Sequence, residues 1–233
     1  MTAEGRQVTI LLLRAKDGLT ADAFRTGFTV AAGEVVSPRQ RWSVLIERGD
    51  REPVPHETFM KDGSRPADAV VLVAHDGGDD AAADAVRAIL ARVEPLVEAG
   101  RTEPATGTEV VILPGYAPVY VMMQNRRTPG LTHDAHIDAW YGRHAQLGEG
   151  SGVAGYRQYH VLPDASARLS GAVGLADAGY DGVACSYFPD LDAAVRLMSG
   201  PLITEAAIPD EKTFIDHARS TFGFYTDVRA DER

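Results

Sequence analysis

Gly130-Leu131-Thr132-His133-Asp134-Ala135-His136-Ile137-Asp138-Ala139-Trp140-Tyr141-Gly142-Arg143-His144 reads as a turn, a helix N-cap, and a helix that delivers a histidine at its far end. Glycine suits the turn, and the Thr132 hydroxyl can satisfy an orphan helix N–H. A shorter version of the same start occurs earlier, as Gly18-Leu19-Thr20-Ala21-Asp22-Ala23. The pairing sets the architecture, and the difference between the copies points to the chemistry.

Working outward from the earlier copy, Val8-Thr9-Ile10-Leu11-Leu12-Leu13 is a continuous apolar run, the pattern of a central strand. The helix opened by Thr20 runs through Phe24 and Phe28 toward Val36 and stops by Pro38, which disfavours helix in the residue before it. Strands are expected at residues 42–47 and 69–73, separated by a polar, proline-punctuated surface loop at 49–66. An exit turn at 76–79 leads to a helix whose stripe is Val86, Ile89, Leu90 and Val93. Pro95 and Gly100 end it, residues 101–107 read as a polar link, and 109–113 as a fourth strand.

The second half repeats that order. Residues 119–124 are a strand, the opening stretch is the helix, and 156–162 the next strand. A Gly/Ala/Asp-rich loop at 163–180 precedes a strand at 182–188 and a helix at 191–198. A further helical stretch at 210–219 leads to a closing strand at 221–228. Ala85-Val86-Arg87 is echoed by Ala194-Val195-Arg196, a second match in the right order. The expectation is an α+β protein of two tandem ferredoxin-like (βαββαβ) halves, residues 1–115 and 116–233. A four-stranded sheet with helices on one face leaves its other face bare, so the two sheets should join into one pseudo-dimeric α+β barrel.

Composition excludes some roles. The chain has 233 residues, 45% hydrophobic and 24% charged, with a formal net charge of -10. Nucleic-acid and anionic-membrane partners both need a basic face, so neither is expected. Cys185 is the only cysteine, which leaves no intramolecular disulfide, and it falls in an expected buried strand. The apolar run at 8–13 is too short for a signal core or a membrane span, so a cytoplasmic location is expected.

From about residue 119 to 227 the chain resembles the EthD family of dimeric α+β-barrel proteins. The family's helix motif, roughly LT-x-acid-x-F-x-x-x-W-x-x-x-H, is matched by Leu131, Thr132, Asp134, Trp140 and His144. Its Y-x-Q-x-H strand is matched by Tyr156, Gln158 and His160, its Asp-Gly entry by Asp181-Gly182, and its D-E-x-x-F by Asp210, Glu211 and Phe214. His136 stands where the motif has phenylalanine, whereas the first half keeps Phe24 there. The first half has Phe28 in place of Trp140 and Ala32 in place of His144. The resemblance implies two fused EthD-like units, with only the second retaining the polar site.

At about 100° per residue, His133, His136, Trp140 and His144 fall on one helical arc roughly 80° wide. His144 lies at the C-terminal end, where the helix dipole favours an imidazolium. That suits a proton donor or shuttle; capping of terminal carbonyls is the plainer reading. Tyr156, Gln158 and His160 alternate along a strand and share one face, which could meet the helix and put His160 beside His144. Catalytic roles are therefore expected for His144, His160 and Tyr156. Substrate contacts are expected from Trp140, Gln158, His136, Tyr141 and Asp210. No metal is expected, because His133 and His136 form only half a site and no third ligand follows at a recognisable spacing. A haem reading rests on fold analogy alone. Gly150-Ser151-Gly152-Val153-Ala154-Gly155 spells a dinucleotide fingerprint, but a helix precedes it and a strand follows, so it reads as a connector.

The resemblance implies a small aromatic or polyketide-like substrate, and the residues imply acid–base chemistry without a cofactor: cyclisation, decarboxylation or dehydration. Two other readings stay open: an accessory or ligand-carrying protein for a partner oxygenase, and a cofactor-free monooxygenase. A homodimer also stays open.

Overall fold

The apolar run near the N-terminus is buried because both of its faces are covered. In the computed structural model, which describes residues 6–34, 39–61, 64–76 and 78–228, strand β1 (Arg6–Leu13) is buried continuously from Val8 onward. Val8, Ile10 and Leu12 face one core, and Leu11 and Leu13 face another. This alternation follows from the two-residue period of a strand. The first core fills a barrel, and the second lies between the barrel wall and the helices outside it.

Eight antiparallel strands form that barrel: β1, β2 (Gln40–Leu45), β3 (Ala69–His75), β4 (Glu103–Leu113), β5 (Val119–Asn125), β6 (Gly155–Val161), β7 (Gly182–Phe188) and β8 (Thr221–Asp227). Their order around the closed barrel is β1-β3-β2-β8-β5-β7-β6-β4. The first four strands are contiguous, as are the last four. The seams are β2 against β8, with Val44 opposite Thr226, and β4 against β6, with Thr108 opposite His160. Inside, Tyr120, Tyr159, Tyr187 and Tyr225 pack with Met122 and Cys185. Burial pushes the Cys185 thiol up to about 12, so it acts as a small apolar filler.

Helices α1 (Ala21–Gly33), α2 (Pro55–Phe59), α3 (Asp79–Val93), α4 (His133–Ile137), α5 (Pro163–Val173), α6 (Leu191–Met198) and α7 (Ile208–Glu211) lie along the chain in that order. Phe24 and Phe28 of α1 pack on Trp42 and on Val86 and Ile89 of α3. A separate outer core gathers Trp140, Met198, Phe214, Phe222 and Phe224 over the second set of strands. None of the described helices is long and apolar enough to cross a membrane.

Four expectations need correction. The stretch 163–180 is not a loop throughout: Pro163 starts α5 at a position where its missing N–H costs nothing, and Gly174 ends it with φ 69. The loop at 49–66 contains α2 and inserts Val54 and His56 into the core, at 0% and 3% exposure. The link at 101–107 is strand from Glu103, since pairing with β1 buries Ala105 despite polar neighbours. The helical stretch placed at 210–219 lies earlier: a π turn (Leu202–Ala207) feeds α7, and only a 3-10 turn (His217–Arg219) follows. The expected end of the first helix at Val36 and Pro38, and Gly77 of the exit turn, lie outside the described residues.

Candidate active site

The helix that opens at Thr132 is capped as its sequence requires, with the Thr132 hydroxyl accepting from the Ala135 N–H at 3.2 Å. It does not stay a regular α-helix. After Ile137 it widens into a π segment (Asp138–Arg143) and then tightens into a 3-10 turn (His144–Gly148). A π segment advances more slowly around the axis than the 100° per residue of an α-helix, so the expected single arc is dispersed.

His133 turns to Asp181 at 3.3 Å. His136 is wholly buried and donates from Nδ1 to the Phe214 carbonyl at 3.0 Å. Burial lowers its pKa, with the Phe214 bond opposing, so it is a neutral imidazole in the core. Trp140 is also buried, its ring lying on Gly182 where any side chain would collide with it.

His144, at the end of the π segment, reaches a cavity of about 90 Å³ open to solvent. Trp140, Tyr156, His56, Glu211 and Asn125 share its lining, with apolar walls from Val121, Met123 and Met198. Both ring nitrogens of His144 face carboxylates: Nδ1 lies 3.0 Å from Asp210 Oδ2, and Nε2 lies 3.5 Å from Glu211 Oε1. A proton on either nitrogen therefore has an acceptor. The longer contact is electrostatic rather than a full hydrogen bond, which leaves Nε2 available to the cavity. Arg143 holds Asp210 from the other side at 2.6 Å.

Tyr156 lines the same cavity. Its oxygen accepts from Trp140 Nε1 and from Gln158 Nε2, both at 3.1 Å. With both lone pairs used, its own O–H is left to donate toward a ligand. Burial holds the phenol well above its ordinary range, so it stays protonated. Gln158 is oriented in turn by His160, whose Nε2 lies 2.9 Å from Gln158 Oε1.

The structure thus brings together His144, Tyr156, Trp140 and Asp210, and does not bring His160 beside His144. Trp140 packs against the His160 ring at 5.5 Å, and His160 is absent from the cavity wall. Burial, followed by the charges of His133 and His136, lowers its pKa to about 4. Gln158 sits behind Tyr156, His136 lies under Phe214, and Tyr141 is 41% exposed against the edge of His160.

On the opposite wall, sequence reasoning weighed Asp210, Asp216 and His217 as pocket-closing residues against an exposed polar face, and left out Glu211 and His56. Glu211 is buried, yet its carboxyl lies far below the usual carboxylate range. Burial alone would raise it; hydrogen bonds from His217 and His56, with the charges of His56 and His144, more than reverse that. His217 Nε2 and His56 Nε2 both meet Glu211 Oε2, at 2.8 and 2.9 Å. Glu211 had a signal in the D-E-x-x-F match, whereas His56 sits in a stretch whose polar composition gave none.

His56, Glu211 and His217 offer ligand atoms within 4.8 Å of one another, the donor types of a two-histidine, one-carboxylate metal site. The geometry is that of two N–H donors sharing one oxygen. His56 Nδ1 also lacks the partner that a metal-ligating imidazole ordinarily has. A haem does not fit, being far larger than a cavity of about 90 Å³.

Residues 128–218 match the family model of the EthD domain. A search of curated proteins returns no significant match. Among solved structures, a candidate monooxygenase from Fusobacterium nucleatum is similar at 9% identity and TM-score 0.57, over 98% of this chain and 94% of that one. An anthrone oxidase-like protein gives 10% identity and TM-score 0.56, over 97% and 92%. A mutant chlorite dismutase from Candidatus Nitrospira defluvii gives 12% and 0.53, over 98% and 94%. At such identities the likeness is one of fold. The helix motif, the Tyr156–His160 strand and the Asp210–Phe214 turn all fall inside the range that matches the EthD domain model, which lies on the wall of an eight-stranded α+β barrel.

Proposed function

We propose that this protein is an enzyme that moves protons on a small aromatic or polyketide-like metabolite without an organic cofactor, in a cyclisation, decarboxylation or dehydration. The observation that carries the reading is that Tyr156 and His144 line one cavity with distinct hydrogen-bonding states. The Tyr156 O–H, its oxygen already filled by two donors, is set to hold a carbonyl or enolate oxygen. His144 moves the proton at the neighbouring carbon or oxygen, with Asp210 fixing its ring. His160 and Gln158 act through Tyr156 and position it. Trp140 supplies a flat wall for a ring. In a cavity of about 90 Å³ a ring system enters edge first, with its remainder at the mouth.

The test is turnover of phenolic and β-keto ring substrates by purified protein under nitrogen, with no added cofactor. Activity that survives the removal of oxygen and is lost in His144→Ala supports the assignment; activity unchanged in His144→Ala refutes it. A second reading, a cofactor-free monooxygenase, draws support from the fold of the candidate monooxygenase and the anthrone oxidase-like protein. It predicts that turnover stops under nitrogen.

We infer further that residues 1–115 and 116–233 are tandem ferredoxin-like copies. Several pairs of local structures support this. Gly18 and Gly130 adopt φ 90 and 87 in the same turn, and Thr20 and Thr132 cap the next helix at the same 3.2 Å. Asp68 and Asp181 each accept a backbone N–H at 2.8 Å, from Ala15 and Arg127, just before the third strand of their half.

A further inference from the structure

Four arginines gather at one mouth of the barrel in a chain whose net charge is -10. Arg6 and Arg157 pair with Glu109, at 3.2 and 3.4 Å, and Arg39 pairs with Asp76 at 2.6 Å. Arg41 is different. Its partners are the Tyr187 hydroxyl and the ring faces of Tyr116 and Tyr187, whose centroids lie 4.6 and 5.2 Å from its guanidinium carbon. No carboxylate among the described residues forms an ion pair with it. A guanidinium cannot shed its proton, so an enclosed one needs an acceptor or a counter-ion.

Beside it opens a cavity of about 50 Å³, lined by Arg6, Arg39, Arg41, Gln40, Glu109 and Tyr159 among others. Among the described ion pairs, Arg6 and Arg157 share the single carboxylate of Glu109, and Asp227 is linked to Arg41 only through Tyr116, whose hydroxyl donates to Asp227. Glu109 would oppose an anion, but its oxygens are already engaged by Arg6, Arg157 and the Tyr159 hydroxyl at 3.2 Å. We propose that this cavity binds a small oxyanion (phosphate, sulfate or a carboxylate), gripped by the Arg41 guanidinium with Arg6 and Arg39 at the rim. The space suits such an ion, since a single water takes about 10–15 Å³ on the same scale. The planar fork of arginine matches oxyanion geometry. This site is separate from the His144 cavity: Ser186 of β7 lines that cavity, while the next residue, Tyr187, points into the barrel toward Arg41.

The experiment is calorimetric titration of the full chain with sodium phosphate, sulfate and acetate at matched ionic strength, with chloride as reference. Saturable binding of one ion per chain is expected for at least one of the three, weakened tenfold or more in Arg41→Gln and unchanged in Arg87→Gln, an exposed arginine elsewhere. If Arg41→Gln does not fold, the double variant Arg6→Gln/Arg39→Gln decides, because both side chains are more than half exposed. Binding by acetate alone identifies the ligand as a carboxylate and supports the site. Absence of saturable binding, or binding equally strong in the mouth variants, overturns the proposal.

Discussion

The indole N–H of Trp140 donates to the hydroxyl oxygen of Tyr156 at 3.1 Å, and this bond determines what the phenol can offer a ligand. Together with Gln158 it fills the oxygen's acceptor capacity and leaves the hydrogen free. Tyr156→Phe keeps the ring and removes that donor. The expected result is a fall in kcat of about 10²–10³-fold, the range for loss of one donor to a developing oxyanion, together with a lower Tm, because the buried Trp140 N–H loses its acceptor.

His144 and Asp210 form the second pair. His144→Ala should lower kcat by about 10²–10⁴-fold, the share a positioned general acid or base supplies. Asp210→Asn keeps the ring near its place and loses the charge. It should cost less and shift the pH profile of kcat/KM, whereas a purely structural Asp210 would alter Tm alone.

Stability should decline in mild acid. Folded His160 takes up its proton only near pH 4, whereas an unfolded histidine does so near 6.5. Between those values the unfolded state binds more protons, so stability is lost as pH falls from about 6.5 to 4. His136, also shifted downward, adds to the same slope. Chemical denaturation at pH 7 and pH 4.5 should give a smaller pH difference for His160→Gln than for the unsubstituted chain.

Gly182 faces the ring of Trp140 so closely that a Cβ would overlap it. Gly182→Ala should therefore push Trp140 off the sheet, at a cost of roughly 1–3 kcal/mol. Tryptophan fluorescence should report the displacement, and turnover should fall with it because Trp140 anchors Tyr156.

If His56, Glu211 and His217 are a hydrogen-bonded cluster, dialysis against a chelator should leave Tm and turnover unchanged. A stoichiometric ion, found by elemental analysis and lost together with activity, would reassign the cluster as a metal centre.

Much of this was legible in the sequence. β7 and α6 fall where periodicity placed them, and Thr132 caps its helix because threonine followed by helix formers permits little else. The misses have physical causes. The π segment at residues 138–143 has no compositional signature, so a regular helical wheel put His133 and His136 beside His144 when tertiary contacts draw them to Asp181 and Phe214. His56 is buried by a long-range partner, Glu211, 155 positions away, which no local pattern encodes. Residues 163–173 looked like a loop because small residues are ambiguous until packing decides, and here Ser166 and Leu169 pack down on the barrel and first-half core.

Both seams of the barrel join the early strands to the late ones within a single polypeptide. Dilution cannot part them, since each sheet sees its mate at the high effective concentration that a covalent tether sets. A barrel made of two identical chains must also place every substitution twice, once on each side of its axis. A single chain is free of that rule. His56, from the stretch before β3, lines the cavity that His144 reaches from the later part of the chain. If the two halves are the tandem copies proposed above, this freedom lets one cavity draw a residue from the other half that a symmetric pair of chains would have to place at both sites.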